Sequence, residues 1–282
     1  MTDSSTTTDA PIAFGVDRLT VTSPGSGPYG DPLLVLASLP ESLHPVSSDA
    51  DLVGLRGTVG WTRVAQGALD SGARGVVVVA PEPVDRDALV ALADRSSAPV
   101  VLDSPWVHNP AVSAAAEHFR RLTGPSALVE ARVELPLASD LFQAALDQLS
   151  LLRAAIGPVV ALRYLRLDGR GYDALGTLAD GTTVSLAAIL TGGLPAAATV
   201  RLVRPTEAVE VHLPAPDTAT PGQAIVSGPD GAVLQVTKYE SAHRAAWRRV
   251  RELVLTGGRS DDARGFADDL DLLSAAVRTA TP

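Results

Sequence analysis

Gln143, Asp147 and Ser150 recur at i, i+4 and i+7 within Asp140–Ile156. A helix there carries them as one polar stripe opposite Leu141, Ala145, Leu149 and Leu152. By periodicity alone that stripe reads as a solvent face. It gains a chemical meaning beside Asp103 and Ser104, which end the apolar run Val100-Val101-Leu102. Such a run is strand-like, and ligands of open α/β sheets bind at the carboxyl ends of strands. Two carboxylates whose pKa values are pushed apart can act as acid and base, so Asp103 and Asp147 together would suit a non-redox lyase or isomerase.

Glycine supplies a second pattern. Gly25, Gly27 and Gly30 in GSGPYG fit G-x-G-x-x-G, with Asp49 and Asp51 about 20 residues on, where a ribose-binding acid is expected. The fingerprint works by delivering a pyrophosphate to a helix N-terminus. Here Pro28 removes one N–H donor, and Pro32 and Pro40 leave little room for a helix. Arg18–Thr22 and Pro32–Ala37 read as short strands around a proline–glycine surface loop.

Composition closes several routes. Of 23 basic residues only Lys238 is a lysine, so a Schiff base or a lysine proton donor has one candidate. Without cysteine there is no disulfide or thiolate metal site, and the five histidines never fall at HxH or HExxH spacing, so no metal is expected. A net charge of −9 argues against nucleic acid. The local basic run Arg244–Arg251 lies on a helical pattern and reads as a solvated face. Residues 1–10 are polar and read as a disordered tail rather than a signal peptide. No apolar run approaches the about 18 residues that a membrane span needs, so a cytoplasmic protein is expected.

The organising stretch is Gly75–Pro105. Val76–Ala80 is too short for a helix and rich in β-branched residues, as a strand buried on both faces is. A helical pattern with Leu89, Val90, Leu92 and Ala93 follows, then the strand 100–102 and the stop Asp103-Ser104-Pro105. This is a βαβ unit. Trp61–Ser71 reads as an amphipathic helix before it, and a helix from Ala111 to about Leu122 follows, with Asn109 as N-cap. Past Gly124-Pro125 the rhythm changes to many strands in succession, with one helix at Asp140–Ile156 and two at the end. The last strand is expected over Ala232–Tyr239. The fold class is therefore α/β plus α+β. A shortened Rossmann-like parallel sheet, residues 11–124, precedes a largely antiparallel open sheet with helices on one face, residues 125–282.

The order and spacing of these pieces resemble the glucose–fructose oxidoreductase/inositol dehydrogenase (Gfo/Idh/MocA) family from about Gly75 to the C-terminus. Ala80-Pro81 stands where that family ends a strand with Ala-Thr-Pro, and Asp103-Ser104-Pro105 where it has Glu-Lys-Pro. Gln143-Ala-Ala-Leu-Asp147-Gln-Leu-Ser150 falls in register with its Asp-x-Gly-x-His-x-x-Asp helix, and Asp261–Ala280 is similar to its closing helix. The resemblance implies an oxidoreductase fold. It also implies departures, because Ser104 replaces the lysine that holds substrate and nicotinamide, and Asp147 replaces the proton-shuttling histidine.

Three functions follow from the resemblance and its departures. The expected one is an oxidoreductase fold that has lost dehydrogenase chemistry, with no cofactor, acting as a non-catalytic subunit or small-molecule binder. Such a subunit would form a homo-oligomer, or pair with a paralogue, through the C-terminal sheet. The second is an NAD(P)-dependent dehydrogenase of a sugar, polyol or related hydroxy compound, with Asp147 in the histidine's role. An aspartate of ordinary pKa, about 4, is a poor acid near neutrality unless its site raises that value. The third is the Asp103/Asp147 lyase or isomerase.

Overall fold

The computed structural model describes residues 18–23, 36–39, 41–216, 218 and 220–280. The tail 1–10 and the glycines Gly25, Gly27 and Gly30 lie outside the described residues.

Five short strands, β1 (Leu19–Thr22), β2 (Leu43–Pro45), β3 (Leu52–Arg56), β4 (Gly75–Val79) and β5 (Val100–Asp103), make a parallel sheet in the order β2-β1-β3-β4-β5. Every residue of β4 and β5 is buried, which is why both read as continuous apolar runs. Helix α1 (Trp61–Asp70) connects β3 to β4, and α2 (Arg86–Arg95) connects β4 to β5. Helix α3 (Pro110–Leu122) follows, its Asn109 cap accepting a hydrogen bond from Ala111 N at 3.0 Å and Pro110 at its first position. One local expectation is corrected. Leu36 and Ala37 are helical rather than extended.

The second sheet has eight strands: β6 (Leu128–Leu135), β7 (Val159–Asp168), β8 (Gly171–Leu178), β9 (Thr183–Leu190), β10 (Ala197–Val203), β11 (Ala208–Leu213), β12 (Gln223–Gly228) and β13 (Gly231–Leu234). Their order is β13-β12-β11-β10-β6-β9-β8-β7, antiparallel except for the parallel pair β6–β9. The last strand stops at Leu234, short of the expected Tyr239; Val236, Lys238 and Tyr239 beyond it are exposed. Helix α4 (Leu141–Ala155) bridges β6 and β7, and α5 (Ala242–Thr256) and α6 (Asp262–Ala280) close the chain. No helix among the described residues is long and apolar enough to cross a membrane.

One hydrophobic core joins the two sheets. It runs from Val76, Val78 and Leu102 through Phe119 of α3, Leu149 and Leu152 of α4 and Phe266 of α6 to Val129, Leu186 and Val200 of the larger sheet. The other face of the parallel sheet packs Val77, Val79 and Val101 against Trp247 and Val250 of α5. Alternation along β5 therefore sends Val101 and Asp103 toward α5 and Leu102 and Ser104 toward α4.

The start of α4 is fixed by Asp140, whose Oδ1 accepts from Gln143 N at 2.8 Å. Its end is fixed by Gly157, whose φ of 148° lets its N–H reach back to Leu152 O at 3.0 Å. Asp140→Ala removes the N-terminal acceptor, and a urea titration should show a loss of about 1 kcal/mol. A loss under about 0.3 kcal/mol would mean that water replaces the cap.

Candidate functional site

The carboxyl edge of the parallel sheet is tightly built. Gly57 ends β3 with its N–H on Val79 O at 2.8 Å, and its own carbonyl accepts from Glu82 N at 2.7 Å. The chain leaving β4 is thus stitched across the end of β3. The approach is so close that a Cβ on Gly57 would sit 2.3 Å from Pro81 Cα. Trp61 at the start of α1 is buried beneath this turn and donates its indole N–H to Glu82 O at 3.1 Å. Pro81 O is thereby presented to α4.

Gln143 receives it. Its Nε2 donates to Pro81 O at 3.2 Å and to Asp147 Oδ1 at 3.0 Å. Both partners accept, which fixes the orientation of the amide and leaves Gln143 Oε1 buried without a hydrogen-bond partner. Asp147, 8% exposed, lies one turn further on. Burial, opposed by the hydrogen bond from Gln143, lifts its carboxyl from 3.8 to about 7. Its charge is also felt at Tyr172, whose hydroxyl donates to Gln148 Oε1 at 2.7 Å and whose ring meets Tyr164 edge-on at 5.6 Å.

The polar stripe of α4 is therefore turned inward. Only a second sheet edge packed against it could decide this, because the periodicity is the same either way. Gln143 and Asp147 form one cluster with Pro81. Ser150, a turn along, lines a cavity with Ser104, so these two are also brought together. Asp103 is not part of either group.

That last placement corrects the acid–base pair expected of Asp103 and Asp147. Asp103 faces α5, where its Oδ2 is hydrogen-bonded to Nδ1 of His243. Asp147 lies on the α4 side of the same sheet, so the sheet itself separates the two carboxylates. Burial pushes the His243 imidazole down, but the hydrogen bond and charge of Asp103 outweigh it and the net shift is upward. The pair ties α5 to the end of β5.

Several charged residues escaped the sequence reading. Asp269 on α6, 1% exposed, accepts two hydrogen bonds from Arg153 of α4. Asp262 accepts two from Arg249 of α5 and a third from Leu102 N. A signal existed for Asp269: it falls three residues after Phe266 and four before Leu273, on the apolar stripe of its helix. Within the basic run, Arg248 pairs with Glu240 at the surface and Arg249 with Asp262, so the run is partly an internal brace rather than wholly a solvated face.

A nicotinamide dinucleotide would find matching groups here. The unpartnered Gln143 Oε1 would accept from a carboxamide or hydroxyl donor, and the near-neutral Asp147 carboxyl beside it can hold or release a proton. That donor set fits the nicotinamide end and a hydroxylated substrate. The glycines that would hold a pyrophosphate lie outside the described residues.

No protein-family model matches the sequence, and no curated protein matches it. Solved structures match its fold. A protein assigned as an NADPH-dependent oxidoreductase from Desulfitobacterium hafniense superposes with a TM-score of 0.74 at 14% identity, over 94% of this chain and 96% of that one. KijD10, a 3-ketoreductase from Actinomadura kijaniata solved with NADP and TDP-benzene, gives 0.66 at 15% identity over 94% and 98%. An oxidoreductase from Agrobacterium radiobacter, solved with NAD+, L-tartaric acid and magnesium, gives 0.69 at 11% identity over 93% and 96%. The chain shares the two-sheet fold of these structures across nearly its full length.

Proposed function

We propose that this protein is an NAD(P)-dependent oxidoreductase acting on a sugar, polyol or related hydroxy compound, with Asp147 as its proton-transfer group. The observation that carries the reading is the Asp147 carboxyl of pKa about 7, held at the carboxyl edge of the parallel sheet by Gln143 and Pro81. When bound, the nicotinamide would supply the hydride acceptor or donor, near Ala80 and Pro81. The substrate hydroxyl must lose a proton as its carbon loses hydride, and a group with pKa near the working pH is suited to take it. Gln143 Nε2 donates to Asp147 Oδ1 and so orients the carboxyl, while Gln143 Oε1 is free to accept from the substrate or the cofactor amide. Burial of Asp147, on the inward face of α4, keeps water from competing for its carboxyl.

A second reading, a fold that no longer catalyses, is favoured by Ser104. This residue, 2% exposed, stands where the resemblance implies a lysine and brings no charge, and the sole lysine, Lys238, lies on an exposed segment after β13. In that reading the protein acts as a ligand-binding or partner subunit. In both readings the open face of the eight-stranded sheet is our proposed surface for pairing with a second copy or a paralogue.

A titration with NADH and NADPH separates the two, read by energy transfer from the tryptophans and checked by calorimetry. The oxidoreductase reading expects saturable binding in the micromolar range, followed by turnover in a polyol and sugar screen. Absence of binding up to millimolar cofactor would end it and leave the second reading.

A further inference from the structure

A cavity of about 330 Å³ opens between β5, α3, α4, α5 and α6. Neither Gln143 nor Asp147 lines it. Its size lies at the lower end of the range for small-molecule sites, roughly 300–1,000 Å³. Ser104 and Ser150 face it together, the two positions where the family resemblance implies a lysine and an aspartate.

The walls are apolar where Leu102, Val107, Val112 and Phe266 meet. The polar part holds His108, three serines and two ion pairs, Arg153 with Asp269 and Arg249 with Asp262. Arg153 is 27% exposed against 1% for its partner Asp269, and Arg249 is 35% exposed against 18% for Asp262. Asp269 and Asp262 line the cavity as well, but both oxygens of each are engaged by these arginines. Arg153 spends Nε and Nη2 on Asp269, and Arg249 spends Nη1 and Nη2 on Asp262. Arg153 Nη1 and Arg249 Nε keep their protons uncommitted among the described residues. Because each arginine is held bidentately, its remaining donors are fixed in advance of any ligand.

We infer that this cavity binds a small organic carboxylate with an apolar body. The carboxylate takes the two free guanidinium donors and the serine hydroxyls, and the body packs on the valines and Phe266. A neutral amide of the same shape would bring an N–H₂ group to donors that need an acceptor, and it would bind more weakly. The site is separate from the proposed proton-transfer group, so a cofactor titration can fail while this binding succeeds, and the reverse.

Benzoate is the test ligand and benzamide its uncharged control, titrated by calorimetry into the full-length protein. Saturable benzoate binding at about millimolar or tighter is expected, with benzamide at least about tenfold weaker. Ser150→Leu fills the cavity and should weaken benzoate about tenfold at unchanged circular dichroism. Arg249→Lys keeps the charge facing Asp262 but removes the Nε donor, and decides the matter should the leucine variant fail to fold; a loss of about fivefold or more is expected. Absence of saturable benzoate binding, equal binding of benzamide, or unchanged affinity in the folded variants would overturn the inference.

Discussion

Asp147→Asn should lower kcat for hydroxyl oxidation by about 10²- to 10⁴-fold, the usual contribution of a positioned proton-transfer group. The amide keeps the size of the side chain and a partner for Gln143, so cofactor affinity should hardly change. Retention of turnover within about threefold would remove Asp147 from the reaction. The same substitution makes an opposite prediction for stability. The folded carboxyl titrates at about 7 against an ordinary 3.8, so between those values the folded state binds more protons than the unfolded chain. Stability from this group is full below pH about 4 and is lost as pH rises through about 7. The rise corresponds to about 4 kcal/mol in protonation free energy. The amide of the variant cannot ionise. Urea unfolding at pH 5 and pH 8 should therefore show the wild-type losing more stability than the variant over that interval. Parallel pH profiles would mean that the carboxyl is not held neutral by burial.

Gly57→Ala should destabilise the protein by about 3 kcal/mol or more, because the clash is with backbone and no rotamer can relieve it. The new Cβ would lie 2.3 Å from Pro81 Cα and 2.6 Å from Ala80 O. Relief requires the end of β3 to part from the chain leaving β4, which breaks the hydrogen bond from Glu82 N to Gly57 O and moves Pro81 away from Gln143. Unfolding midpoint and tryptophan emission report the two consequences separately, since Trp61 is bonded to Glu82 O in the same turn. A loss below about 1 kcal/mol would show that the seam is looser than its hydrogen bonds indicate. In a variant that still folds, a lowered Asp147 pKa would follow from water reaching α4.

The βαβ unit was legible because β4 and β5 are buried on both faces, and a strand without a solvent face has only one way to be written. Asn109 and Asp140 were visible as helix starts for a local reason: a cap acts on the backbone two or three residues away. The succession of strands after Gly157 likewise follows from turn residues and short runs. Leu36 and Ala37 misled because a short apolar run has no period long enough to separate strand from helix.

Chemistry was another matter. Asp103 and Asp147 looked alike in the sequence, each a carboxylate beside apolar residues. The alternation of β5 sends one to His243, and the packing of α4 buries the other against Pro81. Arg153 and Asp269 are 116 residues apart, so no local pattern could pair them. The sequence by itself determined the elements, their order and the exclusion of thiolate chemistry, since those depend on near neighbours and composition. Which carboxyl has its pKa raised, which is paired, and where a cavity opens beside two serines were decided only by tertiary structure, because pKa and burial depend on groups distant in the chain and adjacent in space.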